Sequence, residues 1–108
     1  MSQVVASVTS AAGPINGNEN NSSPDFQFVE LPASGNLTVT VSGNPNSNSI
    51  SFKLWRDISN WPDKEATDEV LTNNSTFPVS DVDMGDNYYI GNPSNAGGQT
   101  FVVTFTAG

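Results

Sequence analysis

Polar and apolar residues alternate without a break along residues 36–42. Leu37, Val39 and Val41 take every second position, and asparagine, threonine and serine fill the positions between them. Since successive side chains of a β-strand point to opposite faces of its sheet, this alternation predicts a strand with one buried face and one hydrated face. The rest of the chain must supply side chains that cover the apolar face.

The same alternation recurs at residues 49–56 and at residues 99–106. We expect the apolar positions of the three strands to face one another in a common core. Within residues 49–56, Trp55 then points outward beside Lys53. The predicted core residues are Leu37, Val39, Val41, Ile50, Phe52, Leu54, Phe101, Val103 and Phe105.

Shorter β-forming stretches, separated by glycine, proline and asparagine, complete a set of about eight strands. A single turn of helix is possible at residues 62–66, and residues 92–98 read as a loop. Many short strands without a long helix predict an all-β fold, a two-sheet antiparallel β-sandwich that is jelly-roll-like. The shorter strands are predicted at residues 3–9, 25–31, 70–72, 76–80 and 86–91.

Two of these shorter strands carry further signals. In the first, the inward set is either Val4, Ala6 and Val8 or Val5 and Ser7. In the strand at residues 76–80, Pro78 predicts a position at the edge of a sheet, because proline cannot donate a hydrogen bond to a neighbouring strand.

The chain of 108 residues is long enough for one domain. Residues 1–24 are predicted to form an N-terminal strand and a long polar loop, and residues 25–108 the core of the sandwich. This loop is longer than most connections between strands. It has few apolar side chains, so burial of its own residues cannot hold it in place. We therefore expect residues 1–24 to contact a neighbouring chain.

Eleven acidic residues face only three basic ones, for a formal net charge of −8 at pH 7. Nucleic-acid affinity depends on Lys and Arg at the phosphates, so no nucleic-acid partner is expected. The chain has neither histidine nor cysteine, which excludes disulfides, thiolate metal sites and a Ser-His-Asp triad. Asp81 and Asp83 lie close together on one predicted turn. Their carboxylates therefore cannot flank a glycosidic bond from two sides, as the carboxylate pair of a glycosidase does. We predict that the protein is not an enzyme.

Four segments occur in the order of residues 31–41, 50–55, 85–91 and 101–106, the third of them being Gly-Asp-Asn-Tyr-Tyr-Ile-Gly. Over about residues 26–106, this order resembles the bacterial pre-peptidase C-terminal type of β-sandwich. The resemblance implies a jelly roll similar to carbohydrate-binding modules. That family usually carries an acidic pair before the second of these strands, where Ser47, Asn48 and Ser49 stand here. No calcium or ligand role is therefore carried over to these three positions.

Three carboxylates and an amide lie within seven residues, at Asp81, Asp83, Asp86 and Asn87. Hard oxygen ligands so spaced can hold calcium, the one cofactor that the sequence suggests. The stretch is not an EF-hand loop, because its sixth position is Asp86 rather than glycine and its twelfth is Asn92 rather than glutamate. The alternative is a solvated turn before the next strand.

Four aromatic residues, Trp55, Trp61, Tyr88 and Tyr89, form the second candidate site. Exposed rings can stack on a sugar, and nearby amides and carboxylates can supply hydrogen bonds to its hydroxyls. The alternative for each ring is a place in the core or an anchor for a loop.

Asparagine, serine and threonine rather than charge dominate the polar residues, and asparagine alone occurs fourteen times. Residues 1–8 have neither the basic start nor the apolar run of a signal peptide, and no stretch suggests membrane insertion. These features predict a virion or extracellular location. The expected function is a structural module on the exterior of a larger assembly, namely a phage capsid decoration or cement protein whose partners are protein subunits, as part of a homo-oligomer. The alternative is a carbohydrate-binding module or lectin that recognises a surface glycan.

Overall fold

The computed structural model describes residues 2–11, 22–43, 50–60, 62–67, 70–94 and 100–108. Seven strands in this part of the chain form two antiparallel sheets, which confirms the all-β sandwich with one strand fewer than the expected eight or so. The elements are β1 (Gln3–Ala11), β2 (Asn36–Ser42), β3 (Ser51–Asp57), β4 (Lys64–Glu65), β5 (Thr76–Pro78), a 3-10 helix (Val79–Asp81), β6 (Asn87–Ser94) and β7 (Thr100–Ala107).

The two sheets have the strand orders β1-β7-β2-β5 and β4-β3-β6. The three stretches of strict alternation correspond to β2, β3 and β7, and their apolar faces meet between the sheets. Eight of the nine predicted core residues are buried, and Val41 is half-buried at the margin of the core. Pro78 ends β5, which is an edge strand as predicted.

A β-bulge in β1 places two consecutive side chains on the buried face. The register with β7 shifts between Val4 and Ala6, and as a result Val5 and Ala6 are both buried while Val4 is exposed. The sequence offered two inward sets, and each assumed an unbroken alternation. The bulge interrupts that alternation, so β1 uses part of each set.

The strand predicted at residues 25–31 does not form. Only Phe26 bridges β6, where Phe26 and Tyr88 exchange two backbone hydrogen bonds of 2.8 Å. The chain then leaves β6, and the Val29 amide donates to the Val5 carbonyl at 3.0 Å. We call residues 22–31 the crossing segment, because it runs from the edge of one sheet to the edge of the other.

The crossing segment is anchored by aromatic side chains. The ring of Phe28, which is 2% exposed, meets the rings of Tyr88 and Phe105 edge to face, each with a centroid distance of 5.1 Å. Phe26 stacks on Phe105 at 5.8 Å. These contacts bury apolar side chains in place of the ladder hydrogen bonds that a regular strand would make.

The opposite side of the sandwich is closed by the chain between β4 and β5. Leu71 bridges Phe52 of β3, so the strand predicted at residues 70–72 is reduced to one bridging residue. The backbone of Val39 in β2 then bonds to Ser75 at 2.8 Å.

Three further expectations differ from the structure. The strand predicted at residues 76–80 ends at Pro78, because Val79–Asp81 forms a 3-10 helix. The helical turn predicted at residues 62–66 is absent, because Lys64 and Glu65 pair with β3 as β4. The predicted loop at residues 92–98 begins later, because β6 continues to Ser94. Within the described ranges, the structure contains no helix of the length and apolar character needed to cross a membrane.

We expect Phe28→Ala to lower the free energy of unfolding by about 3–5 kcal/mol, because it removes a ring that contacts both sheets. Urea unfolding measures the loss. Val29→Ala is the matched control, since Val29 is 55% exposed, and it should change stability by less than about 0.5 kcal/mol. Equal losses in the two variants would contradict a role for the crossing segment in the core.

Candidate functional site

Two neighbouring cross-strand pairs of β3 and β6 carry most of the candidate chemistry. Arg56 lies opposite Tyr88, and Trp55 lies opposite Tyr89. Because consecutive residues of a strand face opposite sides, the first pair belongs to the inner face of the sheet and the second to its outer face. Tyr88 and Tyr89, adjacent in sequence, therefore cannot contribute to one surface.

The hydroxyl of Tyr88 is the centre of the inner cluster. Its ring is fully buried, and its oxygen accepts hydrogen bonds from Arg56 Nη2 at 2.9 Å and from the Asp83 backbone nitrogen at 2.9 Å. Arg56 Nε donates to the same oxygen at 3.3 Å. The phenol thus ties β3 to the turn that precedes β6.

Arg56 also meets two of the carboxylates predicted to hold calcium. Its Nη2 lies 3.1 Å from Asp83 Oδ2, and its Nε lies 3.6 Å from Asp86 Oδ2. The hydrogen bond to Tyr88 raises the pKa of Arg56 above its ordinary value against the opposing effect of burial, and the charges of Asp86 and Asp83 act in the same direction. The guanidinium is therefore a permanent cation among these carboxylates.

The other two predicted calcium ligands lie apart from this ion pair. Asp81 is exposed in the 3-10 helix, and the Asn87 side-chain oxygen accepts a hydrogen bond from Gln27 Nε2 at 3.1 Å. Among the described residues, no three acidic, histidine or cysteine side chains are grouped to hold a metal. Arg56 balances the negative charges of Asp83 and Asp86. Calcium binding by this turn stays a prediction.

On the outer face, Trp55 and Tyr89 form a stacked pair, with ring planes at 9° and centroids 6.5 Å apart. Tyr89 is only 4% exposed, whereas Trp55 is half-buried. Lys53 Nζ lies 5.9 Å from the centroid of the Trp55 ring and 3.2 Å from Glu65 Oε1. The flanks of Trp55 are thus occupied by a tyrosine and an ammonium group.

A loop residue holds Tyr89 in place. The Tyr89 hydroxyl donates to Asp63 Oδ2 at 2.6 Å, and Asp63 Oδ1 accepts from the Ile58 amide at 3.1 Å. This arrangement fits the loop-anchor alternative for Tyr89. Trp61 lies outside the described residues.

Of the four predicted platform residues, the structure brings Trp55 and Tyr89 together and places Tyr88 in the core. Neither Arg56 nor Asp63 is among the site residues predicted from the sequence. Arg56 had one signal, since it is one of only three basic residues in an acidic chain. Nothing in the sequence indicates that Asp63 would meet a tyrosine 26 residues away.

The outer face of the four-stranded sheet is a different kind of surface. Its side chains are uncharged and mostly hydroxylated, and they lie in register: Thr40 pairs with Thr104 and Thr38 with Thr106. We call this surface the hydroxyl face. Its residues are Ser7, Thr9, Asn36, Thr38, Thr40, Ser42, Thr76, Thr100, Thr104 and Thr106, together with Val4, Ala11, Pro78 and Val102.

We expect Tyr88→Phe to cost about 1–3 kcal/mol of unfolding free energy, because it leaves the Asp83 amide and the Arg56 guanidinium without their common acceptor. Tyr89→Phe is the matched control, because it removes a hydroxyl that bonds to the side chain of Asp63 outside the core, and it should cost less. Thermal or urea unfolding of the two variants measures the difference. A larger loss in Tyr89→Phe would contradict the assignment of Tyr88 as the centre of the inner cluster.

We expect calcium to bind this turn weakly at most, because Asp83 and Asp86 already pair with Arg56. A ligand present at a hundred times its dissociation constant stabilises a protein by about 2.7 kcal/mol, which raises the melting temperature of a domain of this size by roughly 10 °C or more. Thermal unfolding with millimolar calcium should show a far smaller shift. A large shift that a chelator reverses, and that Asp83→Asn abolishes, would contradict this expectation.

No model of a protein family, no curated protein and no solved structure matches this chain. The resemblance to pre-peptidase C-terminal sandwiches accordingly stays an expectation from the sequence.

Proposed function

We propose that this chain is a non-enzymatic structural module on the exterior of a larger assembly, namely a decoration or cement protein on the surface of a phage particle. The hydroxyl face is the main observation in support of this proposal. It is solvent-exposed or half-buried throughout, and none of the positions that form it is charged. In a chain with a net charge of −8, such a surface is distinctive.

A protein subunit can cover the hydroxyl face at low cost. Burying an unpaired carboxylate is strongly unfavourable, whereas a hydroxyl can both donate and accept a hydrogen bond and adapts to the groups opposite it. The threonine methyl groups and the side chains of Val4 and Val102 add apolar contact area. A neutral partner surface can therefore pack against the hydroxyl face at a lower cost than against the acidic surfaces elsewhere on the chain.

Those of residues 1–24 that the structure describes bond largely within the sandwich. Residues 3–11 form β1 and pair with β7. Ser22 bonds to Ile90 of β6 through its amide, at 2.7 Å. Residues 12–21, the remainder of the predicted contact segment, lie outside the described residues.

Glycan binding is the second candidate, and one observation favours it. Trp55 Nε1 is buried and has no hydrogen-bond acceptor among the described residues, so a ligand oxygen could satisfy this donor. A sugar would have to displace Lys53 to reach the ring, because the other neighbour of the ring, Tyr89, is tied to Asp63.

The test is whether the protein resides on particles. When a lysate that contains the chain is separated on a density gradient, we expect the protein to sediment with intact particles, and antibodies against the folded chain to label their outer surface in many copies. Pre-immune serum is the control. Recovery only in the soluble fractions, together with binding to a glycan array that Trp55→Ala abolishes, would replace this proposal with the glycan-binding candidate.

A further inference from the structure

We infer that the hydroxyl face is the surface through which two copies of this chain associate about a two-fold axis. This inference rests on the proposed function, because it names the contact between neighbouring copies on an assembly. The partner that covers this face is a second copy of the same chain.

The charges of the chain are placed so that a second copy, which is equally acidic, can approach this face. Asp63 and Glu65 lie on the outer side of the three-stranded sheet, with Tyr89 and Lys53. Packed sheets are about 10 Å apart, so these carboxylates lie at least about one Debye length behind the hydroxyl face at physiological salt. Face-to-face contact therefore brings two acidic molecules together with much of their repulsion screened.

Other described carboxylates lie at the margins of the four-stranded sheet, and Asp81 is in the 3-10 helix that directly follows edge strand β5. Glu30 accepts a hydrogen bond from Gln3 at the start of β1, and Asp83 and Asp86 flank Arg56 at the end of the sandwich. Charged groups are tolerated at the rim of an interface, where they keep their water.

A hydroxyl array is complementary to a copy of itself. Ser7 Oγ and Thr104 Oγ1 already approach within 3.5 Å on one copy, and either atom can be the donor. Across a two-fold axis the same patch meets itself, and a hydroxyl that meets another hydroxyl can either donate or accept the hydrogen bond between them. Half-buried Val102 and exposed Val4 supply apolar contacts within the same patch.

The edges of the same sheet are less suited to association than its face. On β1, the Val5 carbonyl and the Ala11 amide are bonded to the crossing segment, at 3.0 Å and 2.9 Å. At the other edge, β5 has only three residues and ends in Pro78, which has no amide hydrogen to donate. Addition of a strand from another copy is therefore disfavoured at both edges.

The size of the face predicts a weak association. Four strands about 4.8 Å apart, with an average of about seven residues at about 3.3 Å per residue, give an area of roughly 450 Å² per copy. The roughly 900 Å² that two copies would bury falls below the range of about 1,200–2,000 Å² typical of stable complexes. Single pairs should dissociate readily, and many copies held on one particle should reinforce one another.

Sedimentation equilibrium of the full chain, from micromolar to millimolar concentration, tests the inference. We expect a monomer–dimer equilibrium that strengthens as salt is added, because salt screens the repulsion between the acidic molecules. Thr40→Glu places a carboxylate at the centre of the face and should weaken dimerisation at least tenfold. Ser80→Glu adds the same charge on the exposed 3-10 helix, where Ser80 lines a cavity with Arg56 and Glu65 rather than lying on the face, and it should weaken dimerisation far less.

A chain that stays monomeric at millimolar concentration in high salt would overturn the inference, as would equal weakening by Thr40→Glu and Ser80→Glu. If Thr40→Glu does not fold, Ser7→Glu on the same face takes its place. Failure here is distinguishable from failure of the proposed function. A monomer that is nevertheless found on particles refutes only the self-association, and a dimer that is absent from particles refutes only the location.

Discussion

An edge-to-face contact between the rings of Phe28 and Phe105 joins the crossing segment to the four-stranded sheet. Phe105 lies in the second half of β7 in the four-stranded sheet, and Phe28 comes from the crossing segment. Phe28 in turn meets Tyr88 of the three-stranded sheet, and Phe77 of β5 meets Phe105 from the other side. Through these rings, one aromatic cluster joins both sheets and the segment that closes one side of the sandwich.

The position of Tyr88 in this cluster determines the chemistry at the end of the sandwich. With its ring held in the core, its hydroxyl reaches the core margin, where it receives Arg56 and the Asp83 amide. Arg56 then compensates the charges of Asp83 and Asp86, which would otherwise repel each other on one turn. The acidic turn that resembled a calcium site is thus connected to the core through an arginine.

The two sheets present different outer surfaces, and the same alternation of side chains produces both. On the three-stranded sheet, the outward positions carry Lys53, Trp55 and Tyr89, with Glu65 beside them. On the four-stranded sheet they carry hydroxyls and no charge. The β-branched shape of threonine is enough to favour it at exposed strand positions. The lack of charged side chains on the hydroxyl face is a separate feature, and it allows a second subunit to pack against that face.

The alternation of residues determined the buried faces of β2, β3 and β7, because a period of two leaves a strand only one way to turn its apolar side chains inward. It also placed Trp55 outside beside Lys53. The edge position of Pro78 followed from a different local property, because proline has no amide hydrogen to donate. Tertiary structure alone decided the bulge at Val5, the course of residues 25–31 and the partners of Asp83, Asp63 and Tyr88. Arg56 and Asp83 are 27 residues apart, and no local pattern relates two such positions. Their meeting depends on the strand register and on the packing of Phe28 and Tyr88, which arise only when the two sheets come together.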